Sequence, residues 1–144
     1  MPVASTVTAS VRLVEELTFA GESGSGKQLT LDANPLVGGR GLGFRPMELM
    51  LLSLAGCTAM DVIAILRKMR QDVTDYRVDV TAQRADEHPK VFTEINVEHV
   101  VTGHDLREDA VKRAVELSET RYCPASAMLS KAATVHHRYR LVSV

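Results

Sequence analysis

Aromatic residues make up only 4% of the 144-residue chain, and no run of lysine and arginine interleaves with them. The net charge is −1, so the chain carries no electrostatic footprint for nucleic acid or an anionic membrane surface, and neither is expected as a partner. Cys-x-x-Cys and His-x-x-x-His spacings are both missing. Of the five histidines, His136 and His137 are adjacent in a strand-like segment and so point to opposite faces. His99 is expected on a sheet face, and His88 and His104 fall in turns. No metal centre and no cofactor are expected from such a set. A hydrolase lacks its Gly-x-Ser-x-Gly elbow. The glycine-rich stretch 38–43 lacks the Lys-Ser/Thr ending of a P-loop and the spacing of a dinucleotide fingerprint, which leaves a flexible loop, able to close over a pocket. Residues 1–7 have neither a charged nor an apolar leader region, so no signal peptide is expected and the cytoplasm is the default compartment. The apolar run 49–60, bounded by Glu48 and Asp61, is twelve residues long and too short to span a bilayer.

What remains is a soluble globular composition, 45% hydrophobic and 24% charged, in a chain long enough for one domain over residues 1–144. Val7, Ala9, Val11 and Leu13 alternate with polar residues as a half-buried strand does, and Leu17 and Phe19 continue it. The stretch 21–26 reads as a turn and 28–32 as the returning strand. Pro46 opens a helix to about Met69, ending on Arg67, Lys68 and Arg70, which suit the negative end of the helix dipole. The middle of that helix is apolar on nearly all sides, so it should be enclosed by other elements or by a second subunit. Strands are expected over 77–83 and 91–101, separated by Glu87-His88-Pro89. Asp105 is the expected N-cap of a helix over 106–122. A shorter helix over 125–132 leads to a last strand over 135–144. The order β-β-α-β-β-α-α-β gives an α+β domain with helices on one side of antiparallel strands.

Chemistry centres on the only two cysteines, Cys57 and Cys123. Buried free cysteines are common and inert, so the pair is either two small hydrophobes or one dithiol redox centre. Cys123 stands directly before Pro124; as N-cap of the short helix it would have its thiolate stabilised by the helix dipole. Cys57 lies in the apolar helix, where desolvation opposes its thiolate unless a cation lies beside it. Its helical neighbours Ser53, Leu54, Met60 and Asp61 supply none, which leaves Arg40, Arg45 and Arg121.

Pro46-Met47-Glu48-Leu49 through Gly56-Cys57-Thr58, then Tyr122-Cys123-Pro124 before a short helix and a final strand, resembles the OsmC/Ohr family. The resemblance covers most of the chain and is closest to a less characterised OsmC-like branch. It implies an intertwined homodimer with the long helices at its centre and a thiol peroxidase activity toward organic hydroperoxides or hydrogen peroxide. On that resemblance Cys57 would be the peroxidatic thiolate, Cys123 would resolve its sulfenic acid as a disulfide, and an external dithiol would reduce the bond. Family peroxidases carry a glutamate ten residues before the first cysteine and an arginine in the N-terminal hairpin. Here Met47 holds the first position and the 21–26 turn has no arginine. Glu48 and Arg40 are the candidate substitutes. Within one helix Glu48 would lie about 13 Å from Cys57 along the axis and on the opposite face, so it assists only from before the helix or across a dimer. The competing readings are a stress protein of the same fold that binds an apolar ligand among Met47, Met50, Met60 and Met69, and an inert thiol pair.

Overall fold

The computed structural model describes residues 5–144. Their contacts gather into two compact units, one ending at Met50 and the other Leu51–Val144.

In the N-terminal unit, β1 (Ala9–Glu15), β2 (Thr18–Ser23) and β3 (Gln28–Leu31) form an antiparallel sheet in sequential order. The single strand expected over 7–19 is therefore two, joined at Glu16-Leu17, with Glu15 paired to Thr18. No glycine or proline announces this hairpin; Glu16 itself takes the left-handed conformation, at φ 53°. Gly21 belongs to β2 rather than to the turn, pairing with Val11 and Leu29. Beyond β3, the glycine stretch does not hang free. It wraps the buried carboxylate of Asp32, which accepts from Thr18 Oγ1 at 2.6 Å and from the backbone N–H groups of Ala33, Arg40 and Leu42. Those donors hold its carboxyl down at about 2, the Thr18 hydroxyl foremost. The loop returns so closely that a Cβ on Gly39 would lie 1.9 Å from the Ala33 carbonyl oxygen, and only glycine fits.

α1 (Pro46–Lys68) begins with proline, as expected. At 23 residues it is long and apolar enough, by length and composition, to cross a membrane, which the twelve-residue run did not suggest. One stripe of it, Leu54, Thr58, Val62 and Leu66, is buried at four-residue spacing.

In the C-terminal unit, β4 (Asp72–Arg84) and β5 (Phe92–His104) pair antiparallel, while β6 (Thr134–Ser143) lies parallel to β5 along its other edge. The expectation of antiparallel strands throughout is corrected here. The connection from β5 to β6 passes through two helices, and a crossover of that length permits a parallel return. With the added hairpin strand the order becomes β-β-β-α-β-β-α-α-β.

α2 (Glu108–Leu117) starts later than expected, and its N-cap is Arg107, not Asp105. Asp105 sits in the turn at φ 49°, a conformation that Asp tolerates better than most residues. Past Leu117 the backbone widens into a π turn, Ser118–Tyr122, before α3 (Pro124–Leu129). Val62 and Leu66 of α1 pack with Val101 of β5 and Val111, Ala114 and Val115 of α2 as a buried cluster. Leu66 is fully buried in it, and Leu66→Ala should cost about 3 kcal/mol in urea unfolding. A loss under about 1 kcal/mol would mean that the cluster does not carry the stability of this unit.

Candidate active site

Thr58 is a polar residue in an otherwise apolar buried stripe, and its position, next to Cys57, decides the site. Its hydroxyl lies 2.7 Å from that of Ser118, which in turn donates to Asp61 Oδ2 at 3.0 Å. Because the carboxylate can only accept, the Ser118 hydrogen points to Asp61 and the Thr58 hydroxyl must donate to Ser118. Both hydroxyl residues are fully buried. Ser118 therefore grips α1 on either side of one helical turn, at Thr58 and Asp61. Its carbonyl accepts the backbone N–H of Cys123 at 2.8 Å, the five-residue step that makes the turn a π turn. A single residue thus joins the helix that carries Cys57 to the segment that carries Cys123.

Cys123 is the N-cap of α3, as its place before Pro124 predicts, and its sulfur accepts from the Ser126 N–H at 3.3 Å. The expected acidification does not follow. Burial pushes the Cys123 thiol up to about 11, against the lowering effect of the Ser126 N–H; the neighbouring Cys57 thiol and the Asp61 carboxylate push the same way. One N–H at the start of a six-residue helix does not offset the loss of water around a cysteine only 3% exposed. Cys57 itself is half-buried, and both thiols are free.

Each cation proposed for Cys57 is otherwise engaged. Arg40 bonds Glu15 Oε2 through Nη1 and Thr18 Oγ1 through Nε, both at 3.0 Å. Arg45 lies 3.6 Å from Glu48 Oε1, and Arg121 sits over the Tyr122 ring at 5.4 Å. Glu48 lies inside α1, not before it, and accepts the Arg45 N–H at 3.3 Å, as the third residue of a capping box does. Of the two routes by which it could assist Cys57, only action from another subunit is left.

The groups to which sequence reasoning assigned no role in the site are Thr58, Asp61, Ser118, Ser126, His137, His99 and Tyr76. One signal for the first three was available, since a threonine inside a buried helical stripe must find a polar partner. His136 and His137 do face opposite sides: His136 pairs with Glu94 at 3.1 Å, while His137 turns inward to Ser126 and His99. His99 is fully buried on its sheet face, and burial lowers it to about 4, with His137 adding to the effect.

Two outcomes follow from these environments. As pH falls below about 6.5 the unfolded chain protonates at position 99 while the folded chain does not, so stability should drop by about 3 kcal/mol by pH 4 and then level. His99→Gln should flatten that part of a urea-unfolding pH series. In Cys57→Ser protein, burial still dominates, so iodoacetamide should alkylate Cys123 with a pH midpoint above the ordinary thiol value of about 8.5. A midpoint at or below that value would mean that the sulfur is not held desolvated.

Comparison with known proteins places the chain in a family. Residues 39–138, which include both cysteines, match the family described as OsmC-like protein. The chain is 47% identical over 135 residues to protein YhfA of Escherichia coli K12, covering 94% of this chain and 98% of that protein. A hypothetical protein from Aquifex aeolicus superposes with a TM-score of 0.86 at 29% identity, over 98% of this chain and 99% of that one. The organic hydroperoxide resistance protein OsmC of Legionella pneumophila shares the fold at a TM-score of 0.73 and 17% identity, over 96% and 98% of the two chains. By sequence and by fold, the chain belongs to the OsmC-like family.

Proposed function

We propose that this protein is a thiol-dependent hydroperoxide reductase in which Cys57 is the peroxidatic sulfur and Cys123 the resolving one. The observation that carries the reading is the placement of Cys123, buried at the head of α3 beside Cys57, where burial pushes its thiol up. Two thiols side by side compete for oxidant unless their environments differ. Here only Cys57 is accessible to a peroxide, since Cys123 is buried. The Cys57 thiolate attacks a peroxide oxygen, the O–O bond breaks, and the alcohol leaves with a proton. Cys123 then displaces water from the Cys57 sulfenic acid to give the disulfide, and an external dithiol returns both thiols at the expense of its own oxidation. The hydroperoxide-resistance name of the Legionella structure supports the substrate class.

In this reading a second copy of the chain is the partner. Within α1, Met50, Leu52 and Met60 are exposed, and within β1, Val11, Leu13 and Val14 are exposed; apolar surface of this kind on both elements suits burial in a homodimer. Arg40, bonded to Glu15, and Glu48, beside Arg45, enter as the charged groups that the second copy brings to Cys57. A reducing cytoplasm suits a dithiol that must be regenerated.

The test is consumption of cumene hydroperoxide with a dithiol reductant. Wild type should consume it rapidly, Cys57→Ser should fall to the rate of free dithiol, and Cys123→Ser should leave Cys57 to over-oxidise to the sulfinic acid. Arg40→Ala and Glu48→Ala should each slow turnover about tenfold or more. Wild-type consumption no faster than free dithiol would sink the peroxidase reading, and binding of an apolar ligand would replace it.

A further inference from the structure

Four polar side chains form a file through the inner face of the C-terminal sheet. The Tyr76 hydroxyl on β4 lies 2.7 Å from His99 Nδ1 on β5, and His99 Nε2 lies 3.2 Å from His137 Nδ1 on β6. His137 Nε2 then lies 3.2 Å from the Ser126 hydroxyl in α3. The Tyr76 and His99 rings stack at 6.1 Å, and those of His99 and His137 at 5.5 Å. The file ends on Ser126, whose own N–H holds the Cys123 sulfur at 3.3 Å.

Proton counting restricts what this file can hold. Between two imidazole nitrogens in hydrogen-bond contact, only one carries the hydrogen. Burial lowers both His99 and His137, so both rings are neutral with one N–H each. Two arrangements result: every hydrogen points from Tyr76 toward Ser126, or every hydrogen points back. Passing from one to the other carries a proton the length of the file without leaving a charge on either ring. In the first arrangement the Ser126 hydrogen is free to meet a sulfur anion; in the second its lone pairs are free to take a thiol hydrogen. Asp61, facing from α1, disfavours an anion at Tyr76 and at Cys123 alike, and Cys57 faces Cys123 as well. A thiolate leaving at Cys123 thus needs a proton at once.

We infer that Tyr76, His99, His137 and Ser126 are a proton path that supplies and withdraws the thiol proton of Cys123 during thiol–disulfide exchange. This rests on Cys57 and Cys123 forming a disulfide, as in the proposed function. In reduction, an external thiolate attacks the Cys57 sulfur, the S–S bond breaks, and its electron pair leaves on Cys123. The Ser126 hydroxyl, directly or through one water, protonates that sulfur. His137, His99 and Tyr76 each pass a hydrogen along, and solvent restores the one that Tyr76 gives. In oxidation the Cys123 proton travels the other way while its sulfur displaces hydroxide from Cys57, which leaves as water with a proton from solvent. Tyr76 and His99 act through His137 and Ser126, as positioning residues for the path.

The experiment starts from disulfide made with diamide, so it needs no peroxide turnover. Its reduction by dithiothreitol is followed by thiol labelling in H2O and D2O for wild type, Tyr76→Phe, His137→Gln and Val97→Ala. Tyr76→Phe, three hydrogen bonds from the Ser126 hydroxyl, should slow reduction about tenfold and abolish the solvent isotope effect. Val97→Ala, a cavity in the same sheet, should keep both at wild-type values. His137→Gln reads the same interruption if Tyr76→Phe does not fold. Wild-type rate and isotope effect in the Tyr76 and His137 variants would overturn the path and leave the disulfide intact. Equal slowing by Val97→Ala would also overturn it, as a general effect of destabilisation. If diamide forms no disulfide in wild type, the dithiol reading falls and the path with it.

Discussion

A buried serine hydroxyl with nowhere to go would cost this fold about 1–3 kcal/mol, and the architecture around Ser118 is what avoids that loss. Its hydroxyl has Asp61 and Thr58, and its carbonyl has the Cys123 N–H. These bonds succeed together or not at all, since each uses the same residue in the same place. If Ser118 shifts, Thr58 loses its acceptor inside an apolar stripe and Cys123 loses the bond that closes its turn. The closeness of the two thiols is therefore a consequence of how one hydroxyl is satisfied. No disulfide needs to form for the two segments to stay joined.

That arrangement sets the electrostatics as well. Drawing Cys123 in beside α1 strips it of water and puts it near Asp61, so its thiol stays protonated despite a favourable place at the head of α3. The same burial keeps His99 and His137 neutral on the inner face of the sheet. The interior of the C-terminal unit thus holds many hydrogen-bonding groups and little charge. It resists forming ions.

In the N-terminal unit a carboxylate plays the organising part that a hydroxyl plays in the other. Asp32 gathers Thr18 and three backbone donors, and Arg40 lies in the loop so formed, its guanidinium turned to Thr18 and Glu15. What reads as a loose glycine loop is a segment folded around one anion. The glycines are there because the chain must pass close to its own backbone.

Much of this was legible in the chain, because it depends on local chemistry. The proline at the head of α1, the alternation of Ile95, Val97, His99 and Val101, the opposite facing of His136 and His137, and the capping place of Cys123 all follow from period and residue type over a few positions. So does membership in a family defined by two cysteine segments. The hairpin at Glu16, the parallel setting of β6 and the π turn after Leu117 were not legible. The parallel setting of β6 depends on partners distant in the chain, while the hairpin at Glu16 and the π turn are local but hold no glycine or proline to mark them. The same division runs through the site. Sequence alone singled out the two sulfurs and the helical segments that bear them. Only the tertiary structure decided the protonation of Cys123, because a thiol's affinity for its proton depends on how much water and which charges remain around it once the chain has closed.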